Sequence, residues 1–539
     1  MRVHEWWHGA VIYEVYLPSF SDSNGDGWGD LHGLLQRLEH ISSLGVDAVW
    51  LTPFYPSPME DMGYDIAAFC DVDPRFGKLA DFDAVVARAH ALGLRVIIDQ
   101  VWAHTAATHP WFQESTSGDS SAKADWYVWA DARPDGSPPN NWLSVFGGSA
   151  WQWHPVRRQY YLHHFLPSQP KLDLRNEEVL NAHFSNAEFW LARGVDGFRL
   201  DAIDFMLHDG MLRDNPPNPN RAEPAPWNPF RFQRHLYDMC QPANQELVTD
   251  LRRFIDRFPE VVTLGELSSE AGALGRVAAL TGRSKLHMSY TLGVMKTAFS
   301  PTILREAIAD AAIRNQLDGL CWSFSNHDVE RAASRWNPGG RHRGAFALLQ
   351  LAMLVTLPGS ACLYQGEELG LPQARLPASA TRDPFGRTFS PVYAGRDGAR
   401  TPMPWIAGAA NSGFSTAPPW LPIDPAHDAL AVDRQAADPD STLACCRRLL
   451  HWRKSHPALT SGGVELLPTA DPVVAWRRSE GNDRIIAIFN TSDEAQTLSP
   501  ATLPAFAAAS ELGFGAAPSN GELRLPPFGV CLGTEHGNR

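Results

Sequence analysis

Cysteine is scarce in this chain: seven residues in 539, an odd number, with no C-x-x-C pair. That excludes a disulfide scaffold and offers no zinc or dithiol motif. Cys70, Cys240, Cys321, Cys362, Cys445, Cys446 and Cys531 read as reduced thiols, so a cytoplasmic location is the expectation. Positive charge is also short. The 46 Lys and Arg are outnumbered by 60 Asp and Glu, for a formal net charge of −14. Such a chain repels phosphate backbones and anionic lipid, which argues against nucleic-acid and membrane partners. A neutral small molecule fits that balance, taken up by a monomer or homodimer. No apolar stretch approaches the ~20 residues that span a bilayer. The opening MRVHEWWHGAV lacks the basic and then apolar pattern of a secretion signal. No repeat of fixed period and no low-complexity tract is present.

What the chain does have is a set of short apolar runs that each end in ionisable residues. These are LRVIIDQVWAH (94–104), VDGFRLDAID (195–204), EVVTLGEL (260–267) and CWSFSNHD (321–328). A continuous hydrophobic run suits a strand buried on both faces, as in a parallel sheet. Helical segments closed by glycine, LHGLLQRLEHISSLG (31–45) and DFDAVVARAHALG (81–93), alternate with strands VIYEVYL (11–17), VDAVWLTP (46–53) and LRVIID (94–99). Later strands are expected at VVTLGE, LHMSYTL, LCWSFSN and SACLYQG. The fold expected is therefore α/β: a (β/α)8 barrel of the TIM type, with ionisable groups gathered at the C-terminal ends of its strands.

Two stretches interrupt the alternation. Residues 105–170, rich in Trp, Pro, Ser, Gly and Asp, read as a small domain inserted after the third strand; DNPPNPNRAEPAPWNP (214–229) is a second excursion at the same face. From about 460 short apolar runs separated by turns indicate a C-terminal antiparallel β domain. The expected division is a barrel over 1–104 and 171–459, an insert over 105–170 and a β domain over 460–539.

Asp201, Glu266 and Asp328 would converge if the barrel closes. Two carboxylates flanking a bond are the minimal equipment for glycoside cleavage, one ionised to attack and one protonated to donate. Arg199 lies two residues before Asp201, on the same strand face, where a guanidinium would keep that carboxylate ionised. Any one of these acids alone is as readily a structural ion pair; four such strand ends together point to an enzyme.

GFRLDAID, GEL and FSNHD resemble the sequence regions of glycoside hydrolase family 13, the α-amylase family, over nearly the whole chain. The resemblance implies a retaining mechanism with Asp201 as nucleophile, Glu266 as general acid/base and Asp328 as transition-state stabiliser. It places His104, Arg199 and His327 at the first sugar subsite or behind the nucleophile. Ala103 departs from the family's usual Asn before the histidine; alanine cannot ligate the calcium that Asn helps hold in α-amylases, so that site is not expected.

SDSNGDGWGDLHG (21–33) presents Asp22, Asn24, Asp26, the Trp28 carbonyl and Asp30 at alternating positions around Gly27. Hard oxygens in this spacing suit Ca²⁺, with Mg²⁺ second, although Gly33 at the twelfth position rules out an EF-hand. The loop is similar to the structural metal site of oligo-1,6-glucosidase-like α-glucosidases. PMEDMGYDIAAF (58–69) resembles the same subgroup and implies Asp61 and Tyr64 in the first subsite, and GRDGARTPMPW (395–405) implies Arg400 near sugar hydroxyls. Phe146 and Phe165, at the edge of the insert, are candidate pocket walls, while QPKLD (169–173) departs from the subgroup's usual QPDLN. Within the subgroup Val after the nucleophile goes with α-1,6 activity and Ala or Thr with α-1,4, so Ala202 favours maltose-like substrates. The expected function is an exo-acting, retaining α-glucosidase. A transglucosylase or sucrose isomerase on the same scaffold is the near alternative, and a non-catalytic relative the distant one.

Overall fold

The computed structural model describes residues 5–118, 120–220, 225, 227–268, 272–296, 298–313, 319–499, 503–519 and 521–536. Part of the second excursion, at 221–224 and 226, lies outside the described residues. Eight parallel strands form the barrel: β1 (Val11–Val15), β2 (Ala48–Leu51), β3 (Arg95–Gln100), β7 (Gly197–Leu200), β8 (Val262–Leu267), β9 (Met288–Thr291), β10 (Cys321–Ser323) and β11 (Ser360–Tyr364). Their order is β10-β11-β1-β2-β3-β7-β8-β9, and a parallel bridge from Ser289 to Leu320 links β9 to the approach of β10, closing the ring. Between β3 and β7 lies a three-stranded sheet of β4 (Trp129–Ala130), β5 (Trp151–His154) and β6 (Gln159–Leu162).

The continuous apolar runs become strands that are buried at nearly every position, because helices cover the outside and side chains fill the inside. Helix Leu31–Leu44 shows the local logic. Asp30 caps it by accepting from the Gly33 amide, Leu31, Leu34, Leu38 and Ile41 form its buried stripe, and Gly45 ends it at φ 93°. Gly197 answers a different need: a Cβ there would come within 2.7 Å of Val262 Cγ2 and 2.9 Å of its carbonyl, so β7 and β8 approach closely only with glycine.

The C-terminal region packs β12 (Gly463–Leu466), β13 (Val473–Glu480), β14 (Asp483–Asn490), β18 (Val530–Glu535) and β16 (Phe506–Ala508) into an antiparallel sheet, beside the pair β15 (Gln496–Leu498) and β17 (Leu523–Leu525). Of two buried arginines at this end, Arg478 on β13 joins the sheet to the barrel and Arg453 ties a helix of the barrel to its neighbours. Arg478 Nη1 donates to the carbonyls of Thr356 (2.9 Å) and Leu357 (2.7 Å), at the C-terminus of helix Arg343–Thr356. Arg453, on helix Thr442–Ser455, donates to the carbonyls of Gly9 and Gly359 at 2.9 and 2.8 Å and to that of Val355. Cations at a helix C-terminus satisfy its last carbonyls and oppose its dipole. All seven cysteines are free thiols, and no helix among the described residues is long and apolar enough to cross a membrane.

Candidate active site

Arg199 is fully buried at the barrel axis and organises the acids. Its Nη1 donates to Asp99 Oδ1 at 2.6 Å and to Asp201 Oδ1 at 2.7 Å; its Nη2 contacts Glu266 Oε2 and, at 2.7 Å, the Tyr290 hydroxyl. The guanidinium stacks 4.9 Å from the Trp50 ring centroid. Thus β2, β3, β8 and β9 each send one side chain, and the residue just after β7 another, to a single cation on β7. Burial pushes the Asp201 carboxyl up to about 6 and Glu266 up to about 8, with Arg199 opposing both shifts. The two carboxyl groups are themselves hydrogen-bonded, so near neutrality one proton resides on the pair, with Glu266 as its holder.

Asp328 sits in the opposite environment. Burial alone would raise it, but His327, Arg396 and Arg400 overwhelm that effect and hold it well below the usual carboxylate range. Its Oδ1 accepts from Arg396 Nη1 at 2.8 Å and Arg400 Nη2 at 2.7 Å. Arg396 also reaches Asp61 Oδ1 at 2.9 Å and Asp383 Oδ1 at 2.7 Å, tying together the loops after β2, β10 and β11. Gln169 joins from the insert, donating to Asp61 Oδ2 at 3.1 Å.

A cavity of about 530 Å³ opens onto these groups. Asp61, Tyr64, His104, Phe146, Phe165, Asp201, Glu266 and Asp328 all line it. Arg199, His327 and Arg400 do not; each lies behind a carboxylate or aromatic ring that does, buried to within 1 %. Arg396, not singled out in the sequence, takes the lining position that Arg400 was expected to hold. Beyond the carboxylates the wall is mixed: Ala202, Phe205, Phe230, Met239 and Leu292 alternate with polar groups such as Asn228, Gln233, His235 and Arg276. Aromatic contacts draw the loops over the mouth: Phe146 meets Phe385 edge-on at 4.5 Å, and Trp227 stacks on Tyr393 at 4.9 Å.

The α-amylase catalytic-domain family matches residues 14–462, a span that contains every group just described. The chain belongs to the α-amylase family of glycoside hydrolases. Within that family it is 49% identical over 499 residues to a probable α-glucosidase of Rhizobium meliloti (strain 1021), covering 92% of this chain and 90% of the relative. It is 32% identical to the oligo-1,6-glucosidase of Parageobacillus thermoglucosidasius, with 91% of each chain covered. A crystal structure of the α-glucosyl transfer enzyme XgtA superposes with a TM-score of 0.94 at 47% identity, over 99% of this chain and 100% of that one. The chain is therefore an α-amylase-family enzyme of the α-glucosidase-like subgroup.

Loop 21–33 lies away from this cavity. Asp22 Oδ1 accepts from the Asn24 and Gly25 amides and Oδ2 from the Gly27 amide; Asn24 Oδ1 accepts from Asp26, and Asp26 Oδ1 from Trp28. Asp30 is held by Ser23 and the Gly33 amide. The oxygens are of the right kind for a hard cation, but they are turned to backbone amides, and no three acidic or imidazole side chains among the described residues gather into a metal cluster. Ala103 and Lys171 stand where the insert meets the barrel. Lys171 is buried, and its ammonium donates to the carbonyls of Phe205 (2.7 Å) and Met206 (2.9 Å).

Proposed function

We propose that this chain is a retaining, exo-acting α-glucosidase acting on short α-linked gluco-oligosaccharides, with α-1,4 linkages favoured. The contact between Asp201 and Glu266 on the shared Arg199 carries the reading. An inverting enzyme needs ~6.5–9.5 Å between its carboxyl groups to seat a water, whereas carboxyl groups this close serve double displacement. Asp201, ionised near neutral pH, attacks the anomeric carbon; Glu266, still protonated, gives its proton to the glycosidic oxygen as that bond breaks. The Glu266 carboxylate then takes a proton from water, whose oxygen displaces Asp201 and restores the starting anomeric configuration. Asp328, held ionised by two arginines, stabilises the positive charge that develops on the sugar ring. Asp61 and Arg396, which line the pocket and are linked to each other and to Asp328, support an exo reading by offering a terminal glucose charged partners beside the catalytic acids. Ala202 supports the α-1,4 preference, since a small side chain beside Asp201 leaves room for the leaving sugar.

Transfer to an alcohol or sugar is the second reading. The likeness to the glucosyl-transfer enzyme supports it. We also propose that loop 21–33 takes Ca²⁺ through Asp22, Asn24, Asp26, the Trp28 carbonyl and Asp30, remote from the chemistry, on the strength of its donor set. Following the anomeric protons by NMR during turnover of maltose, isomaltose and sucrose tests the enzymatic reading. α-Glucose formed first from maltose supports it; β-glucose formed first, or hydrolysis persisting in Asp201→Ala, overturns it. Dialysis against a chelator followed by a melting curve tests the metal: an unchanged midpoint on re-adding Ca²⁺ sinks that proposal.

A further inference from the structure

Glu14 is a fully buried acid in the middle of β1, within an otherwise apolar strand, and the mechanism above leaves it without a task. Its Oε1 lies 2.5 Å from His327 Nδ1, and its Oε2 has no hydrogen-bond partner. The other ring nitrogen, Nε2, is 2.7 Å from the Tyr64 hydroxyl and 3.6 Å from Asp328 Oδ1. The Tyr64 ring stacks on the imidazole at 5.3 Å with an interplanar angle of 10°, and its hydroxyl lies 3.1 Å from Asp99 Oδ2. Glu14, His327, Tyr64 and Asp99 thus form a chain of three links that ends on the partner of Arg199.

Counting protons along the chain decides its direction. Asp99 accepts from Arg199 on one oxygen and from Trp50 Nε1 at 3.1 Å on the other, so it is the acceptor at the far end. The single proton of Tyr64 therefore goes to Asp99, and the Tyr64 oxygen must accept from His327, which requires a proton on Nε2. The 2.5 Å link at Nδ1 needs a proton of its own. Glu14 and His327 together must then hold two protons, one between them and one on Nε2.

We propose that Glu14 is a positioning residue of the glucose subsite: by sharing a proton with His327 Nδ1 it fixes Nε2–H as a donor and so commits the Tyr64 hydroxyl to Asp99. Rotating the imidazole or stripping Nε2 of its proton would turn the Tyr64 hydroxyl toward His327 and remove a donor from Asp99, loosening the Arg199 clamp under Asp201. This rests on the catalytic assignment above, and turnover of an aryl α-glucoside by the wild type must be measured first. A wild type without turnover refutes that assignment, whereas the variants of an active enzyme report on Glu14.

Three substitutions separate the role from simple packing or charge. Glu14→Gln keeps the reach and can donate its amide N–H to Nδ1, so Nε2–H survives. Glu14→Asp keeps the charge but withdraws the carboxyl by one methylene, and Glu14→Leu removes the link. With folding checked by circular dichroism, kcat/KM is expected to fall by about 10- to 100-fold in Glu14→Leu, the scale seen when the outer partner of a ligating imidazole is lost. Glu14→Gln should recover most of that loss and exceed Glu14→Asp. A folded Leu variant within two-fold of wild type overturns the proposal. So does an Asp variant as active as the Gln variant, a comparison that stands even where Leu prevents folding.

Discussion

Replacing Glu266 by glutamine should stabilise the protein while abolishing turnover, and the size of the gain should depend on pH in a prescribed way. In the unfolded chain this carboxyl titrates near 4.5; burial pushes it up to about 8 in the folded state, against the pull of Arg199. Between those values the folded protein keeps a proton that the unfolded chain has released, so stability falls as pH rises, by about 1.4 kcal/mol per pH unit. The stabilising balance is fully present below pH 4.5 and is lost as pH passes through 8. Glutamine is neutral at every pH and nearly isosteric with the protonated acid, and Arg199 retains Asp99 and Asp201 as partners. Relative to wild type, Glu266→Gln should therefore gain roughly 3 kcal/mol at pH 7 and approach a plateau of about 5 kcal/mol above pH 8, measured from their difference at pH 4.5. Urea unfolding of both proteins at pH 4.5, 6, 7, 8 and 9 reads this directly. A stability difference that stays flat across the series, or a wild type more stable than the variant at pH 8, would falsify the picture of a proton-holding Glu266.

The same two carboxyl groups should give kcat/KM a bell-shaped pH profile with limbs near 6 and 8, the acid limb from loss of the Asp201 charge and the alkaline limb from loss of the Glu266 proton; a rate still rising at pH 9 contradicts this. Ala202→Val should lower kcat/KM on maltose relative to isomaltose by about 10-fold, the scale of one or two methylenes in a closed pocket. Because Ala202 sits at φ 42°, a β-branched side chain also strains the turn, so total activity should fall as well; an unchanged ratio refutes the steric reading. Arg478→Met should destabilise the protein by about 2–3 kcal/mol, by uncovering the last carbonyls of helix Arg343–Thr356, without altering KM; an unchanged melting midpoint would show that those carbonyls are satisfied otherwise.

Much of the barrel was legible because its signals are local. Each apolar run became a strand, and the ionisable residues ending the runs arrived at one mouth, since parallel strands all present their C-termini to the same side. Even the sixth strand, expected at LHMSYTL, appears as β9 over Met288–Thr291. The candidate site was legible where a residue sits on or within a few residues of such a strand end, as Glu266, Asp201 and His104 do. Arg396 was hidden because it lies in an irregular loop after the last barrel strand, and nothing in GRDGARTPMPW distinguishes the arginine that lines the cavity from the one behind it. Glu14 and Gln169 were hidden for a related reason: their partners are His327 and Asp61, more than 100 residues away in each case.

The amino-acid sequence alone determined the period of the strands and helices, the acidic balance of the chain and the residue types available for glycoside chemistry, because those depend on neighbours within one turn or one strand. Only the tertiary structure decided which acid holds a proton. Asp201, Glu266 and Asp328 are chemically alike in the unfolded chain; burial against Arg199 separates the first two, and two further arginines drive the third far below both. Proton affinity depends on through-space distances between charges and on the loss of water around them, and neither exists until the barrel closes.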